Sequence, residues 1–141
     1  MSFTIRSVNL EEDYPKLLKW WAGHNALVMP AHVFPQGWCI EAGGVEIAMS
    51  FLYLDVGGKF AVIEWLTTNP AVALSRSLVE AVKLLMAHIE GVARAQGCSF
   101  IISFIAPNSG EERLMKRIGY QTSEGPGHRT YAKSLCQQSP L

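Results

Sequence analysis

The chain has 141 residues, of which 49% are hydrophobic and 17% are charged. A chain of this length and composition buries enough apolar surface to fold without a disulfide or a metal ion. The 12 Lys and Arg residues balance the 12 Asp and Glu residues, which argues against a nucleic-acid partner, because binding to phosphates usually needs a basic excess. The N-terminal stretch resembles neither a signal peptide nor a membrane span, so we expect a cytoplasmic protein with no membrane partner.

We expect a single domain over residues 1–136, followed by a flexible end at residues 137–141. The cysteines, Cys39, Cys98 and Cys136, are far apart and lack the close pairs that zinc sites use. The four histidines also share no tight ligand spacing. The sequence therefore predicts no bound metal.

The first part of the chain predicts a strand, a helix and an irregular loop. Polar and apolar side chains alternate over residues 3–7, as in a strand. Asn9 then precedes three acidic residues, which favour the positive end of a helix. Apolar spacing continues this helix to Gly23, where we expect a left-handed glycine cap. Residues 25–36 contain two prolines and predict an irregular connection.

Further strands and one long helix follow. Three successive strands are predicted at residues 38–42, 45–54 and 60–67, separated by glycine-containing turns. A helical period of apolar residues then runs over residues 75–96. Residues 99–106 form the nearly continuous apolar run that is typical of a central strand.

The remaining elements complete the predicted fold. A short helix is expected at residues 111–118 and a final hairpin at residues 120–135. Because a strand, a long helix and a strand follow one another directly, the two strands should be parallel neighbours. The predicted class is α/β (α+β), with a mixed, mostly antiparallel sheet, a central splayed parallel pair and helices on both faces. Ligand sites form where such strands diverge, here between residues 60–67 and residues 100–106.

Two stretches carry a resemblance to a known superfamily. Residues 63–70 read Ile-Glu-Trp-Leu-Thr-Thr-Asn-Pro, and residues 108–120 end in Lys-Arg-Ile-Gly-Tyr. Together with the element order, which covers nearly the whole chain, they resemble the GNAT superfamily of acyl-CoA N-acyltransferases. The paired Trp20 and Trp21 before a proline-containing loop are similar to small GNAT members of phage and prophage genomes.

The resemblance implies an N-acetyltransferase that transfers an acetyl group from acetyl-CoA, as cosubstrate, to an amine of a small molecule or protein. A homodimer is compatible with this interpretation. The resemblance implies that one backbone segment pairs with the pantetheine arm, and that the pyrophosphate lies at the start of the long helix. The expected cofactor-binding residues are Leu66, Thr67, Thr68, Leu74, Ser75, Arg76, Ser77 and Asn108.

The chain departs from the family pattern at the pyrophosphate turn. That turn is rich in glycine in the family, whereas residues 71–78 contain none. A helix start still offers N–H groups, and Ser75, Arg76 and Ser77 add hydroxyls and a guanidinium suited to phosphate. The alternative is that Ser75 is only an N-cap and that Arg76 is a solvated residue.

A second departure concerns the proton that the leaving thiolate needs. Many family members place a tyrosine where this chain has Met115, so the acid is Tyr120, Tyr131, a bound water or no residue at all. We assign the role to Tyr120. Both departures keep open a second function, that of a catalytically inactive GNAT-like module that binds CoA or another protein.

Glu64 is the candidate base of the acyl transfer. It is the only acidic residue in the apolar run at residues 60–66, and burial would raise its pKa toward a value useful for removing a proton from an ammonium group. A surface position would leave it an ordinary carboxylate.

Trp21, His24 and Trp38 are the candidates for binding the acceptor. The aromatic group formed by Trp20, Trp21, Phe34 and Trp38 either lines an acceptor pocket or fills the core. A pocket of this kind would favour a small and partly apolar amine.

Overall fold

The structure is a computed structural model, and it describes residues 2–73, 75–105, 110–122 and 129–135. The chain forms two compact units, and each unit consists of two segments. The first unit comprises Met1–Phe51 and Trp65–Ala87, and the second comprises Leu52–Glu64 and His88–Leu141.

The element order matches the prediction closely. The helices in the described residues are α1 (Leu10–Gly23), α2 (Arg76–Ala95) and α3 (Gly110–Arg117), with a short 3-10 turn at Ala31–Val33. The strands are β1 (Phe3–Ser7), β2 (Gln36–Ala42), β3 (Val45–Leu54), β4 (Phe60–Thr68), β5 (Phe100–Ile105), β6 (Gln121–Thr122) and β7 (Arg129–Ser134). Among the described helices, none combines the length and the apolar character that crossing a membrane requires.

The described strands form one sheet with the order β1-β2-β3-β4-β5-β7-β6. Strands β4 and β5 are parallel, whereas β1 with β2, β5 with β7 and β6 with β7 are antiparallel. The predicted mixed sheet with a parallel strand pair is therefore confirmed. The predicted final hairpin is present as β6 and β7, and residues 123–128 between them lie outside the described residues.

Glycine geometry explains two of the hairpin and helix ends. Gly43 and Gly44 have φ values of 57° and 78°, which suit the two-residue turn that joins twisted strands. Gly97, the second residue after α2, has a φ of 93°, which is the left-handed conformation typical of a glycine at a helix C-terminus.

The expected left-handed cap at Gly23 is wrong. Gly23 is the last helical residue, His24 caps α1 with a φ of −95°, and the left-handed residue is Asn25 with a φ of 54°. A Cβ atom on Gly23 would lie 2.7 Å from Cγ of Pro70. Glycine is therefore needed at this position for close packing, since the backbone conformation itself does not require it.

An aromatic cluster forms the core of the first unit. The ring of Phe34 stacks on Trp21 with 5.7 Å between centroids, and it packs against Phe51 at 4.6 Å. Trp20 and Trp38 are also buried. The sequence allowed these four aromatic residues either to fill the core or to line a pocket, and the structure favours core packing.

An ion pair between the partly exposed Arg6 and the buried Asp13 fixes the start of α1. The side chain of Asn9 accepts a hydrogen bond from the backbone N–H of Glu11 at 3.0 Å, so the predicted helix start is confirmed. The carboxylate of Asp13 receives two hydrogen bonds from Arg6, at 2.8 and 2.9 Å, and one from the backbone N–H of Asn9 at 2.9 Å. These contacts join α1 to β1.

Candidate active site

Strands β4 and β5 share only a short parallel ladder. It runs from Phe60 opposite Phe100 to Val62 opposite Ile102. Both strands continue past this ladder, β4 to Thr68 and β5 to Ile105. The region beyond the ladder is therefore where the predicted divergence would begin.

Glu64 lies just past the end of this ladder. Its Oε1 atom accepts a hydrogen bond from the backbone N–H of Phe104 at 2.8 Å and from the hydroxyl of Ser103 at 3.2 Å. In a continuous parallel ladder, the N–H groups of β5 would donate to backbone carbonyls of the neighbouring strand. A side-chain carboxylate is the acceptor here, which indicates that the two backbones lie farther apart at this point.

The residue after Glu64 has an unusual backbone conformation. Trp65 has a φ of 60°, and a bulky residue is seldom found in this left-handed region. Such a residue in a strand is typical of a bulge that re-aims neighbouring side chains. Strained residues of this kind cluster at functional sites, where the surrounding structure must hold them in place.

A second carboxylate, Glu111, belongs to the first turn of α3. Burial, and then the negative charge of Glu64, raise the pKa of Glu111 to about 7. We find no hydrogen-bond donor to this carboxylate among the described residues. The helix dipole favours the ionised form of a first-turn acid, yet burial and the neighbouring charge outweigh it.

Sequence reasoning missed Glu111 as a functional residue. An acidic side chain at the start of a helix is common and is usually explained by its favourable interaction with the helix dipole. The raised pKa of Glu111 depends on burial and on the charge of Glu64, and no local sequence signal reports either of them.

The tyrosines that the sequence offered as acids are both hydrogen-bonded to carboxylates. Tyr120, which is 3% exposed, donates to Oε2 of Glu90 at 3.0 Å. Burial, followed by the charge of Glu90, raises the pKa of Tyr120. Tyr131 donates to the buried carboxylate of Glu112. These contacts give both tyrosines a structural role in the second unit.

The end of β4 lies in the first unit and contacts α1. The hydroxyl of Thr67 accepts a hydrogen bond from the indole N–H of Trp21 at 3.1 Å and donates to the carbonyl of Trp65 at 2.9 Å. Nε2 of His24 lies 2.7 Å from the carbonyl oxygen of Thr68. Because a carbonyl oxygen only accepts, Nε2 is the protonated nitrogen in this contact.

The start of α2 is capped by its own serine. Oγ of Ser75 accepts a hydrogen bond from the backbone N–H of Leu78 at 3.3 Å, so the N-cap part of the expectation is confirmed. The exposed Arg76 forms no ion pair with any other described residue. Arg76 and Ser77, together with Phe3 and Glu80, line a surface depression of about 260 Å³.

Comparison with solved structures identifies the fold. The chain superposes on Ard1 from Thermoplasma volcanium with a TM-score of 0.79 and 11% identity, over 97% of this chain and 100% of that chain. It superposes on an N-acetyltransferase from Staphylococcus aureus with a TM-score of 0.73 and 12% identity, over 96% of this chain and 100% of that chain. The chain has the GNAT fold.

A further protein with the GNAT fold is N-acetylglutamate synthase from Neisseria gonorrhoeae, solved with coenzyme A and N-acetyl-glutamate. It matches with a TM-score of 0.73 and 16% identity over 97% of this chain. The chain spans only 36% of the length of that synthase. No protein-family model and no curated protein matches the sequence.

On this GNAT fold, the predicted site residues fall into separate environments. Glu64 accepts a hydrogen bond from the backbone of β5, and its charge raises the pKa of Glu111. Tyr120 instead donates a hydrogen bond to Glu90. Of the acceptor-binding candidates, Trp21 and Trp38 are buried at 3% and 5% exposure, and His24 is exposed. Leu74 and Asn108 lie outside the described residues.

The described residues contain no group of three or more His, Cys, Asp or Glu side chains that could hold a metal ion. Cys39 and Cys98 are buried free thiols. Burial raises the pKa of Cys39 to about 12, so its reactive thiolate form is scarce at neutral pH.

Proposed function

We propose that the chain is a cytoplasmic N-acetyltransferase that transfers an acetyl group from acetyl-CoA to an amine of a small molecule or protein. The observation that carries the proposal is the Glu64 carboxylate, which accepts a hydrogen bond from the backbone of β5 just past the parallel ladder of a GNAT fold and whose charge acts on Glu111. The structural neighbours of the chain support the proposal, since they include acetyltransferases and several of the matching structures were solved with coenzyme A or acetyl-CoA.

The carboxylate pair suits the chemistry of this transfer. An amine is mostly an ammonium ion at neutral pH and must lose a proton before its nitrogen can attack the acetyl carbonyl. A general base works best when its pKa lies near the working pH, and the pKa of Glu111 is raised to about 7. The attack forms a C–N bond, and the C–S bond of the thioester then breaks to release the thiolate.

We assign the cofactor to the segments that the resemblance named. The backbone of Leu66, Thr67 and Thr68 would pair with the pantetheine arm, and Ser75 to Ser77 would contact the pyrophosphate. The exposed guanidinium of Arg76 supports this assignment, because it has no described ion-pair partner. The carboxylate of Glu80 in the same depression opposes it.

A catalytically inactive module that binds CoA or another protein is the second candidate. Two observations favour it. The turn at residues 71–78 contains no glycine, and Tyr120 and Tyr131 both donate their hydroxyl protons to buried carboxylates. A chain that kept the fold but lost the chemistry would show both features.

Calorimetry with acetyl-CoA, followed by an assay of thiol release with a panel of amines, separates the two candidates. We expect binding, and a ligand present at about 100 times its Kd should stabilise the fold by about 2.7 kcal/mol. Binding without thiol release from any amine would support the inactive module. If acetyl-CoA at millimolar concentration produces neither heat nor a thermal shift, the acetyltransferase and the CoA-binding module are both overturned, and only a module that binds another protein remains.

Arg76→Ala tests the pyrophosphate assignment. Loss of a charged hydrogen bond to phosphate should weaken acetyl-CoA binding by about 1 to 3 kcal/mol. Lys19→Ala is the matched control, because it removes an equal charge from an exposed position of α1. Equal affinity of the two variants for acetyl-CoA would indicate that Arg76 is a solvated surface residue that does not contact the pyrophosphate.

A further inference from the structure

We propose that Trp21 and the side chain of Thr67 are positioning residues that hold the left-handed backbone at Trp65. By holding it, they fix the backbone of residues 66–68 for the pantetheine arm of acetyl-CoA. This inference rests on the proposed function, which assigns that backbone to the pantetheine arm. Trp21, which the sequence assigned to the acceptor, then acts through Thr67.

Two hydrogen bonds in series run from α1 to the backbone of Trp65. The indole N–H of Trp21 donates to Oγ1 of Thr67 at 3.1 Å. The hydroxyl of Thr67 donates in turn to the carbonyl oxygen of Trp65 at 2.9 Å. An indole nitrogen can only donate and a carbonyl oxygen can only accept, so the direction of both hydrogen bonds is fixed. The Thr67 hydroxyl is therefore held in one orientation.

Both side chains of this relay are buried, Trp21 at 3% and Thr67 at 5% exposure. Water does not readily replace either hydrogen bond at such positions, and a buried polar group that loses its partner costs free energy. The two hydrogen bonds therefore constrain where the carbonyl oxygen of Trp65 can lie.

The ring of Trp65 is held by the same cluster. It packs edge-on against Phe34 with 6.2 Å between centroids, and Phe34 stacks on Trp21 at 5.7 Å. Trp21 thus constrains Trp65 twice, at the backbone through Thr67 and at the ring through Phe34. A φ of 60° at a bulky residue is unfavourable by itself and persists only where its surroundings hold it. This closed circuit of contacts supplies that hold.

The far end of the segment is anchored to β3. The backbone N–H of Asn69 donates to the carbonyl oxygen of Ile47 at 2.8 Å, and the side-chain amide of Asn69 donates to the carbonyl oxygen of Glu46 at 2.8 Å. Residues 66–68 therefore lie between two fixed points. A segment that is ordered before a ligand arrives loses little entropy when the ligand pairs with it, so the relay should increase the affinity for acetyl-CoA.

The test compares variants by the Kd of acetyl-CoA, measured by calorimetry, and by the backbone NMR chemical shifts of Trp65. Thr67→Val has nearly the same shape but lacks the hydroxyl, so both hydrogen bonds are lost. We expect it to raise the Kd about tenfold and to move the Trp65 shifts away from those of a left-handed residue. Thr67→Ser keeps the hydroxyl, and its Kd should stay within about threefold of that of the unmodified chain.

Trp21→Phe removes the donor of the first hydrogen bond and keeps a ring that can stack on Phe34. We expect it to raise the Kd about threefold, since the Thr67 hydroxyl can still donate to Trp65. If the two residues act as one relay, a chain that carries both Trp21→Phe and Thr67→Val should bind no more weakly than Thr67→Val alone. Losses of affinity that add would contradict the relay.

Tyr14→Phe is the matched control, because it removes one hydrogen bond from the same aromatic cluster. The Tyr14 hydroxyl donates to the carbonyl oxygen of Met29 at 2.7 Å, and the Tyr14 ring lies edge-on to Trp21 at 6.1 Å. Tyr14→Phe should lower the free energy of unfolding, as Thr67→Val does, but leave the Kd of acetyl-CoA unchanged. This comparison separates positioning from a general loss of stability.

The outcomes also separate this inference from the proposed function. If Thr67→Val keeps the Kd of the unmodified chain, or if Tyr14→Phe or Thr67→Ser raises the Kd as much as Thr67→Val does, the inference is overturned and acyl transfer stands. If the unmodified chain does not bind acetyl-CoA, both are overturned. Should Thr67→Val fail to fold, Trp21→Phe carries the test, and an unchanged Kd for that variant would contradict the inference.

Discussion

Replacing Asp13 by Asn tests the ion pair that fixes α1. The Asp13 side chain is 1% exposed and meets Arg6 through two hydrogen bonds of 2.8 and 2.9 Å. Asn has nearly the same size, so the substitution removes the charge while leaving little empty space. One of the two contacts with Arg6 would become a clash of two donors.

The magnitude follows from the exposure of the two partners. Removing one member of a fully buried ion pair costs about 3 to 5 kcal/mol. Arg6 is 35% exposed and also pairs with Glu41 at 3.1 Å, so its remaining charge is partly solvated. We therefore expect Asp13→Asn to lower the free energy of unfolding by about 2 to 3 kcal/mol, measured by urea denaturation at pH 7 with an unchanged m-value.

The pH dependence supplies a second readout. Burial raises the pKa of Asp13, but the hydrogen bonds from Arg6 and from the backbone of Asn9 outweigh it, and the net shift is downward from 3.8. The stabilisation is then present above the unfolded pKa and is lost as the pH falls through the lower folded pKa. The difference between the original chain and Asp13→Asn should shrink below about pH 4.

Glu41→Gln is the control for Asp13→Asn, because Glu41 pairs with the same arginine from a more exposed position. We expect it to cost less than about 1 kcal/mol. Equal losses for the two variants, or a loss from Asp13→Asn that does not depend on pH, would refute the reasoning.

The remaining predictions concern glycines and a tyrosine. A Cβ on Gly37 would lie 2.4 Å from the ring of Phe51, so Gly37→Ala should destabilise by about 1 to 3 kcal/mol. Gly91 in α2 has no neighbouring atom within 4 Å of the added Cβ, so Gly91→Ala should stabilise by about 0.5 to 1 kcal/mol; thermal melts that rank the two variants otherwise would contradict the packing. Tyr120→Phe loses the hydrogen bond to Glu90 and should cost about 1 to 3 kcal/mol of stability with kcat unchanged, whereas a large fall in kcat of the folded variant would restore Tyr120 as the acid.

Most of the fold could be predicted because its signals are local. Apolar periodicity indicated α2, and the glycines at residues 43–44 and 97 marked turns whose backbone requires positive φ values. The parallel pairing of β4 with β5 followed from the succession of strand, long helix and strand. Gly23 shows the limit of this reasoning, because its small size serves packing against Pro70, a contact that depends on the folded structure.

The candidate site was only half predictable. Glu64 stood out as the sole acid in an apolar strand, but its acceptor role toward Phe104 and Ser103 depends on how β4 and β5 separate. Glu111 had no distinguishing neighbours in the sequence, and its raised pKa arises from burial and from a charge distant along the chain. Electrostatic coupling of this kind requires the tertiary structure.

The serine cap of α2 has a consequence for how a ligand would meet this helix. A turn made of glycines loses much backbone entropy when it orders, and a bound phosphate can supply the interactions that order it. Here Ser75 already satisfies the N–H of Leu78, so the first turn of α2 is ordered before any ligand arrives. A phosphate that binds at this end would order little additional backbone, so the entropic cost of its binding would be smaller. Fewer backbone N–H groups would remain to donate to it, so its affinity would be lower.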